Sequence, residues 1–375
     1  MTGDGSGTQN SNEPKNSKFK QQQLPAWQPI LTAGTVLPTF FVIGIAFIPI
    51  GVGLMYFSNQ VNEEVFDYTE CFSNSNPVTK CSTEISINST CVCEVPFNIS
   101  GSWEGQVYMY YGLTNFYQNH RRYVKSRDDK QLYGQVGSAP NKDCDPFRQN
   151  NDTKAYYAPC GAIANSLFND SIKVQYKVGG SWEDVPLLKT GIAWPSDKQY
   201  KFKNPEYVKA PNDPEQDWKN LKAAFEDANL ESPKDWKTEI WELDKENPEN
   251  NGYLNEDLIV WMRTAALPNF RKLYRKIDHD NTGNRDFASG LPHDKDYRLL
   301  IEYNYPVVQF SGTKKIILAT TSLLGAKNPF LGIAYIVVGC ICLVLGVLFL
   351  FIHLRFGKTP QDIMNIGPRT PYNAN

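Results

Sequence analysis

The sequence predicts a membrane protein in which two transmembrane helices flank a large ectodomain that is stapled by disulfides, glycosylated and mainly antiparallel β. We expect a sandwich-like α+β domain with helical insertions. Three observations predict this class: two long uncharged apolar segments near the ends, six cysteines with four glycosylation sequons between them, and several β-branched and aromatic runs. The 375 residues carry a formal net charge of only -2, so the overall charge of the chain does not favour binding to a polyanion such as nucleic acid.

The two apolar segments each contain 23 residues without Asp, Glu, Lys or Arg. As helices they reach roughly 35 Å, enough to cross the hydrocarbon core of a bilayer. A cleaved signal peptide is the alternative for the first segment. However, that segment begins only at Thr35, and it is not followed by the small-x-small pattern of a signal-peptide cleavage site. The predicted organisation is a cytosolic tail, a span, the ectodomain, a second span and a cytosolic tail, over residues 1–34, 35–57, 58–330, 331–353 and 354–375.

Charges beside the spans favour cytosolic tails, because basic residues concentrate on the cytosolic side of membrane helices. Three lysines on the ectodomain side of the second span weaken this charge asymmetry. The tail side carries Lys15, Lys18, Lys20, Arg355 and Lys358, and the ectodomain side carries Glu63, Glu64, Lys314, Lys315 and Lys327.

Small residues recur along both spans. Gly332, Gly339 and Gly346 form a stripe with a period of seven residues, and Gly44 and Gly51 repeat that spacing in the first span. Such stripes let helix backbones approach closely in the membrane. The two spans can pack on each other, or dock on a partner, or do both on different faces. Two prolines in the first span also indicate packing partners. A proline has no N–H, so it leaves a helix carbonyl without its hydrogen bond, and in the membrane a neighbouring group must donate to that carbonyl.

The cysteines in the central segment predict a disulfide framework in an oxidising compartment. Our preferred pairing is nested, with Cys81–Cys91 inside Cys71–Cys93 and with Cys144–Cys160 closing a separate loop, although six cysteines allow many other pairings. A zinc site is the alternative for the first four, but they lack paired Cys-x-x-Cys knuckles.

Four Asn-x-Ser/Thr sequons share the central segment, at Asn88, Asn98, Asn151 and Asn169. Their number is close to the chance expectation, so their position among the cysteines carries more weight than their count. Cysteines, sequons and tail charges together predict that the central domain is lumenal or extracellular.

Alternation of apolar and polar residues predicts strands in the central domain. The run "SIKVQYKVGG" alternates and stops at two glycines, and "VYMYYGL", "LIEYNYPVVQF" and "KKIILATTSL" are further β-rich runs. Residues 211–251 are acidic and surround the amphipathic segment "DWKNLKAAFEDAN", which predicts a partly helical excursion. Apolar spacings of three and four predict two more helical pieces on either side of Pro268, at 258–265 and 270–277.

We find no sequence signature of catalysis, of a bound metal or of a cofactor. The segment "NPENNGYLNEDL" resembles a calcium loop, but Leu258 stands where the bidentate carboxylate should be. The four histidines form no zinc-protease motif, and a Gly-x-Ser-x-Gly elbow is absent. An ecto-enzyme whose dyad assembles only in three dimensions remains a minor alternative.

The segment "NFYQNHRRYVKSRDD" concentrates Arg121, Arg122, Lys125 and Arg127 beside aromatics. In a lumenal domain these cations cannot meet cellular nucleic acid. They either pair with acidic groups inside the ectodomain, such as the adjacent aspartates, or form an interface with a protein partner.

Several long blocks resemble the cell division control protein 50 family, also called the ligand-effect modulator family. They occur in matching order from about Lys18 to His353, and they read "KFKQQQLPAWQPILTAGTVLP", "MYYGLTNFYQNHRRYVKSRDD", "APCGAIANSLFND", "GIAW", "NGYLNEDLIVWMRTAALPNFRKLYR" and "KNPFLGIAYIVVG". The resemblance implies a non-catalytic β-subunit of a type IV P-type ATPase that flips phospholipids. It would need no cofactor, and its partners would be the ATPase and membrane phospholipids.

The resemblance further implies that the subunit is needed for exit of the ATPase from the endoplasmic reticulum and for its stability and activity. It would thereby support aminophospholipid asymmetry and vesicle trafficking. The expected locations are the endoplasmic reticulum, Golgi, endosomal and secretory vesicles and plasma membrane. The acidic stretch 206–248 departs from the family pattern. The alternative function is a self-standing cell-surface receptor or adhesion ectodomain.

Overall fold

A computed structural model describes residues 16–25, 32–85, 90–281 and 285–357. Most of both predicted tails and the sequon at Asn88 lie outside these ranges. The chain forms two compact units, residues 1–55 with 330–375, and residues 56–329.

The helices and strands follow the order that the predicted organisation requires, with one long helix at each end. The helices are α1 Ala33–Asn59, α2 Cys81–Glu84, α3 Arg121–Lys125, α4 Asp129–Leu132, α5 Ala162–Asn165, α6 Pro195–Tyr200, α7 Pro214–Asp227, α8 Glu256–Met262 and α9 Pro329–Phe356. The strands are β1 Glu63–Asp67, β2 Cys91–Phe97, β3 Trp103–Glu104, β4 Tyr108–Leu113, β5 Tyr156–Tyr157, β6 Ser171–Val178, β7 Ser181–Asp184, β8 Leu187–Leu188, β9 Leu230–Glu231, β10 Phe270–Ile277, β11 Gly290–Leu291, β12 Tyr297–Tyr303 and β13 Lys314–Ala319.

The terminal helices α1 and α9 are both long and apolar enough to cross a membrane. They contain 27 and 28 residues, a few more than the predicted spans. Most of their surface is exposed in the isolated chain, unlike that of a soluble core helix. Pro38 and Pro49 both lie inside α1.

Two antiparallel sheets dominate the central unit. One has five strands in the order β1-β13-β4-β10-β8, and the other has four in the order β2-β12-β6-β7. Two small two-stranded sheets complete the set within the described residues, and one of them, β5 with β9, is parallel. The β-rich runs of the sequence supply strands β4, β6, β12 and β13, but the second half of the run at 300–310 lies beyond β12 and ends in a short 3-10 helix at Val308–Phe310.

The two large sheets face each other across an aromatic core. Phe66 on β1 packs against Phe97 on β2 with ring centroids 4.6 Å apart. Tyr274 on β10 accepts a hydrogen bond at its hydroxyl from the backbone N–H of Ile172 on β6, at 3.1 Å. Since strands of both sheets contribute buried rings, the central unit has the predicted sandwich-like α+β architecture.

The predicted helix over 270–277 is wrong, because this segment is strand β10, between β4 and β8. Its register against β4 shifts between Leu273 and Arg275, which is a β-bulge. The bulge inserts one residue, so the buried positions become Lys272, Tyr274 and Ile277. The helix was predicted from apolar residues spaced by three and four, but two of them, Phe270 and Leu273, are only half-buried, so that spacing does not mark the buried side of the segment.

The predicted helix on the N-terminal side of Pro268 is confirmed as an element, but α8 runs over Glu256–Met262 rather than 258–265. Asn255 caps its first turn by accepting the N–H of Leu258 at 3.1 Å. At its other end the Lys272 ammonium donates to the carbonyls of Trp261 and Arg263, at 2.6 and 2.7 Å. A buried cation on β10 thus satisfies carbonyls at the C-terminus of α8 and joins helix to sheet.

The acidic excursion contains α7, as its amphipathic pattern predicts. Asp213 caps this helix by accepting the N–H of Gln216 at 3.1 Å, and Leu221 and Phe225 are fully buried. The Phe225 ring packs edge-on against Tyr253. The excursion is therefore packed into the ectodomain core rather than separate from it.

Candidate partner interface

The cationic segment, defined as residues 120–127, presents three free cations on its outer side. Arg121, Arg122 and Lys125 are exposed, and none of them forms an ion pair within the described residues. Arg127 is different, because its Nε lies 3.0 Å from a carboxylate oxygen of Asp129. Pairing with an acidic group inside the ectodomain, one of the two interpretations of this segment, therefore applies to Arg127 but not to the other three cations.

The adjacent Asp128 does not neutralise these cations, because backbone amides occupy its carboxylate. One oxygen accepts the N–H groups of Lys130 and Gln131, in the first turn of α4, at 2.9 and 3.2 Å. The other accepts the N–H of Asn141 at 2.7 Å. Asp128 is therefore a helix cap, a role that the sequence position alone did not identify.

The inner side of the cationic segment is anchored to the core. The Tyr123 hydroxyl lies 2.8 Å from the Ser166 hydroxyl, and the Ser126 hydroxyl accepts the N–H of Ala162 at 2.9 Å. Burial of Tyr123 raises the pKa of its phenol to about 12, so it stays neutral at physiological pH. The segment carries its cations on a fixed backbone, which lowers the entropy cost of pairing with a partner.

Gly161 allows this close anchoring. Its φ is +102°, and a Cβ there would lie 2.0 Å from the backbone oxygen of Ser126. Any other residue would push the cationic segment away from α5.

Lys314, which the charge count placed beside the second span, is a core residue. Its ammonium and the Asp170 carboxylate are both 0% exposed and lie 2.6 Å apart. The same carboxylate accepts hydrogen bonds from the Tyr68 hydroxyl and from the backbone N–H of Tyr305. This lysine therefore does not count against cytosolic tails, because it is held inside the protein.

The glycine stripes lie where the two terminal helices meet. A Cβ on Gly339 would approach the Gly44 carbonyl oxygen to 3.3 Å, and one on Gly332 would approach that of Gly51 to 3.0 Å. A Cβ on Gly346 would instead approach the ring of Phe41, at 3.3 Å. Of the alternatives left open by the sequence, the structure thus uses these glycines for packing of the two helices on each other. Docking of a partner at the same stripe stays a prediction.

The structure contains three disulfides in the nested arrangement. Cys71 pairs with Cys93, Cys81 with Cys91 and Cys144 with Cys160, with Cα separations of 6.1, 5.4 and 5.7 Å. The sulfurs of Cys71, Cys81 and Cys93 do cluster within 4.8 Å. Because disulfide sulfurs are not thiolates, this cluster does not offer the ligands that zinc requires.

The sequons differ in accessibility. Asn98 and Asn151 are exposed, whereas Asn169 is half-buried beside the core carboxylate of Asp170. Exposed positions suit an acceptor for a bulky glycan. Occupancy of all four sequons stays a prediction.

One contact bears on the ecto-enzyme alternative. The Ser102 hydroxyl lies 2.8 Å from Nδ1 of His293. Both residues are exposed, and a nucleophile and its base normally need an orienting group and a desolvated site. The contact alone does not indicate an active site.

Comparison with known proteins places this architecture in a family. Residues 54–359 match the model of the LEM3 (ligand-effect modulator 3) family / CDC50 family. The chain is 50% identical to cell cycle control protein 50A of Bos taurus over 93% of its own length and 91% of that protein. It is 43% identical to human cell cycle control protein 50B, over 94% and 97% of the two chains. It is also 40% identical to ALA-interacting subunit 3 of Arabidopsis thaliana, over 92% and 87%.

The family model covers the whole ectodomain and α9, but it covers only the C-terminal end of α1, from residue 54 onward. The relatives extend the similarity over more than nine tenths of the chain. Two apolar helices around a disulfide-stapled β-sandwich, together with these matches, show that this membrane protein belongs to the LEM3/CDC50 family.

Proposed function

We propose that this chain is the non-catalytic accessory subunit of a phospholipid-translocating P-type ATPase. Family membership over nearly the whole chain carries the proposal, since it supports an accessory subunit of flippases in general. The name of one relative, ALA-interacting subunit 3, describes a subunit that interacts with ALA. The rigid cationic segment with exposed side chains is a feature suited to such an interaction.

In this proposal the subunit associates with a type IV P-type ATPase as a heterodimer. It is needed for exit of the ATPase from the endoplasmic reticulum, for its stability and for its activity. It acts in the membranes of the secretory pathway and the plasma membrane, with both tails cytosolic. ATP hydrolysis belongs to the partner, so loss of this chain would reduce lipid translocation without removing any catalytic residue.

Affinity purification of the full chain from membranes in a mild detergent tests the proposal. We expect a P-type ATPase to co-purify in roughly equal amount. Recovery of the chain alone, under conditions that preserve a known flippase complex, would contradict the proposal and favour the receptor or adhesion alternative. Identification of the ATPase would then allow its lipid preference to be measured with labelled phospholipids.

We further propose that Arg121, Arg122 and Lys125 contact acidic residues on the ectodomain side of the ATPase. Exposed, unpaired cations at the rim of an interface act mainly on the association rate and on partner choice. The double reversal Arg121→Glu with Arg122→Glu should weaken capture of the ATPase by roughly tenfold, or about 1.4 kcal/mol. The effect should diminish at high salt, because exposed charges are screened.

A matched control separates this effect from a general change of charge. Lys177 and Lys189 are also exposed, and neither forms an ion pair among the described residues. The double reversal Lys177→Glu with Lys189→Glu changes the net charge equally and should leave capture unchanged. Equal loss in both variants would contradict a specific interface at the cationic segment, and so would wild-type capture by the first variant.

A further inference from the structure

A tight hairpin just before α9 exposes two leucines to solvent. The leucine hairpin, defined as residues 322–325, is closed by hydrogen bonds in both directions between the backbones of Ser322 and Gly325, each 2.9 Å long. Leu323 and Leu324 are its two central residues, and they are 87% and 56% exposed. The turn therefore holds two large apolar side chains outward, where the rest of the ectodomain does not bury them.

The leucine hairpin is tied to the end of the first apolar helix. The backbone N–H of Asn328, three residues after the hairpin, donates to the hydroxyl of Ser58 at 3.0 Å. Ser58 is buried and lies in the last turn of α1. Three residues span at most about 11 Å, so the hairpin cannot lie far from that helix end.

The length of α1 sets the depth of that end. Its 27 residues reach about 40 Å, whereas the hydrocarbon core of a bilayer is about 30 Å thick. The ends of α1 therefore lie in the layer where acyl chains meet headgroups. The leucine hairpin is joined to one end by three residues of chain and one hydrogen bond, so it can reach this layer.

The charge around the leucine hairpin also fits a phospholipid surface. The sequence has no Asp or Glu between Glu302 and Asp362. Lys327, two residues after the hairpin, is exposed. Apolar side chains flanked by a cation and by small polar residues match the interface of a bilayer, with acyl carbon below and phosphate above.

We propose that the leucine hairpin inserts Leu323 and Leu324 into the interfacial layer of the leaflet on the ectodomain side, with Lys327 at the lipid phosphates. This inference requires only that α1 and α9 span the membrane. It does not depend on the identity of an ATPase partner. The hairpin would anchor the base of the ectodomain to lipid.

Site-specific fluorescence tests the proposal on the full chain. Cys340 and Cys342, which are not in disulfides, are first replaced by alanine, and Leu323→Cys is labelled with an environment-sensitive dye. The protein is reconstituted in nanodiscs of phosphatidylcholine and phosphatidylserine, with or without lipid that carries a doxyl quencher near the headgroup. The control is Val208→Cys, because Val208 is 79% exposed but lies in the acidic stretch 206–248.

We expect doxyl lipid to quench the dye at position 323 several-fold more than the dye at 208, and aqueous iodide to quench it several-fold less. Equal quenching of both dyes by iodide, without quenching by doxyl lipid, would overturn the proposal. Protection that appears only when a copurified partner is present, again without lipid quenching, would also overturn it and assign the hairpin to a protein interface. Three intact disulfides and a monodisperse elution profile show that each labelled variant is folded.

Discussion

At the scale of single residues, Lys314 and Asp170 link the two sheets through a fully buried ion pair. The Lys314 ammonium also donates to the Tyr305 carbonyl at 2.7 Å and lies over the ring of Tyr303. Burial lowers the pKa of Lys314 to about 8, and the Asp170 carboxylate opposes that shift. A pair of this kind is costly to break on one side only, because the remaining charge has no partner.

Lys314→Met should therefore destabilise the ectodomain by about 3–5 kcal/mol. The double variant Lys314→Met with Asp170→Asn should be less destabilised, since it leaves no uncompensated carboxylate and keeps the Asn169 sequon intact. Unfolding of the full chain in detergent can be followed by tryptophan fluorescence, because all tryptophans except Trp27 lie in the ectodomain. Strictly additive losses from the two single changes would contradict coupling of the pair.

Glu256 gives a pH dependence of stability. Its side chain accepts the N–H groups of Ile192 and Ala193 at 2.7 and 2.9 Å and pairs with Lys198 at 2.8 Å. Burial opposes ionisation, but these donors outweigh it and hold the pKa of Glu256 below its usual 4.5. The stabilisation is therefore present above the unfolded pKa and is lost as pH falls through the folded one.

Glu256→Gln should lower the melting temperature at pH 7 and make it less sensitive to a fall from pH 5 to pH 3, because the folded pKa lies below 4.5. Melting curves of the wild type and of the variant across this range provide the measurement. Two parallel curves would show that the Glu256 carboxylate contributes nothing to the acid sensitivity.

At the scale of elements, the contact between α1 and α9 depends on glycine positions. A Cβ on Gly51 would meet the Gly332 carbonyl oxygen at 2.8 Å and the Ile336 backbone nitrogen at 2.9 Å. A Cβ on Gly53 would meet nothing within 4 Å. Backbone atoms cannot move aside as a flexible side chain can, so only the first position should be intolerant.

Gly51→Val should separate the two helices and lower the thermal stability of the full chain in detergent, whereas Gly53→Val should not. The fraction that remains monodisperse after heating, measured by size-exclusion chromatography, reports the difference. Equal behaviour of the two variants would argue against close packing at Gly51.

Element type was predictable where one periodicity was undisturbed. Strand β6 alternates cleanly, with Ile172, Val174 and Tyr176 buried, and helix α7 has one apolar side. Strand β10 was not predictable, because its bulge breaks the alternation at Tyr274. A bulge depends on the neighbouring strand, which the local sequence does not reveal.

At the scale of the whole molecule, two spans around one ectodomain predict that both tails share the side opposite to the glycans. In sealed microsomes, protease added outside should remove epitopes on both tails and leave the ectodomain intact. Asn98→Gln and Asn151→Gln should each remove one N-glycan, so each variant should migrate faster on a gel by one of the increments that endoglycosidase removes from the wild type. Protection of either tail, or glycosylation of a sequon introduced into either tail, would contradict this topology.

The sequence by itself determined the class of the protein, because the signals for spans, disulfides and β-rich runs are local in composition. It also located the cluster of cations within residues 115–129. Only the tertiary structure decided which cations are free, since Arg127 pairs locally while Lys314 finds its carboxylate across the core. It likewise decided that Leu323 and Leu324 are exposed. Burial and pairing depend on segments distant in sequence, and no local pattern records which of them will meet.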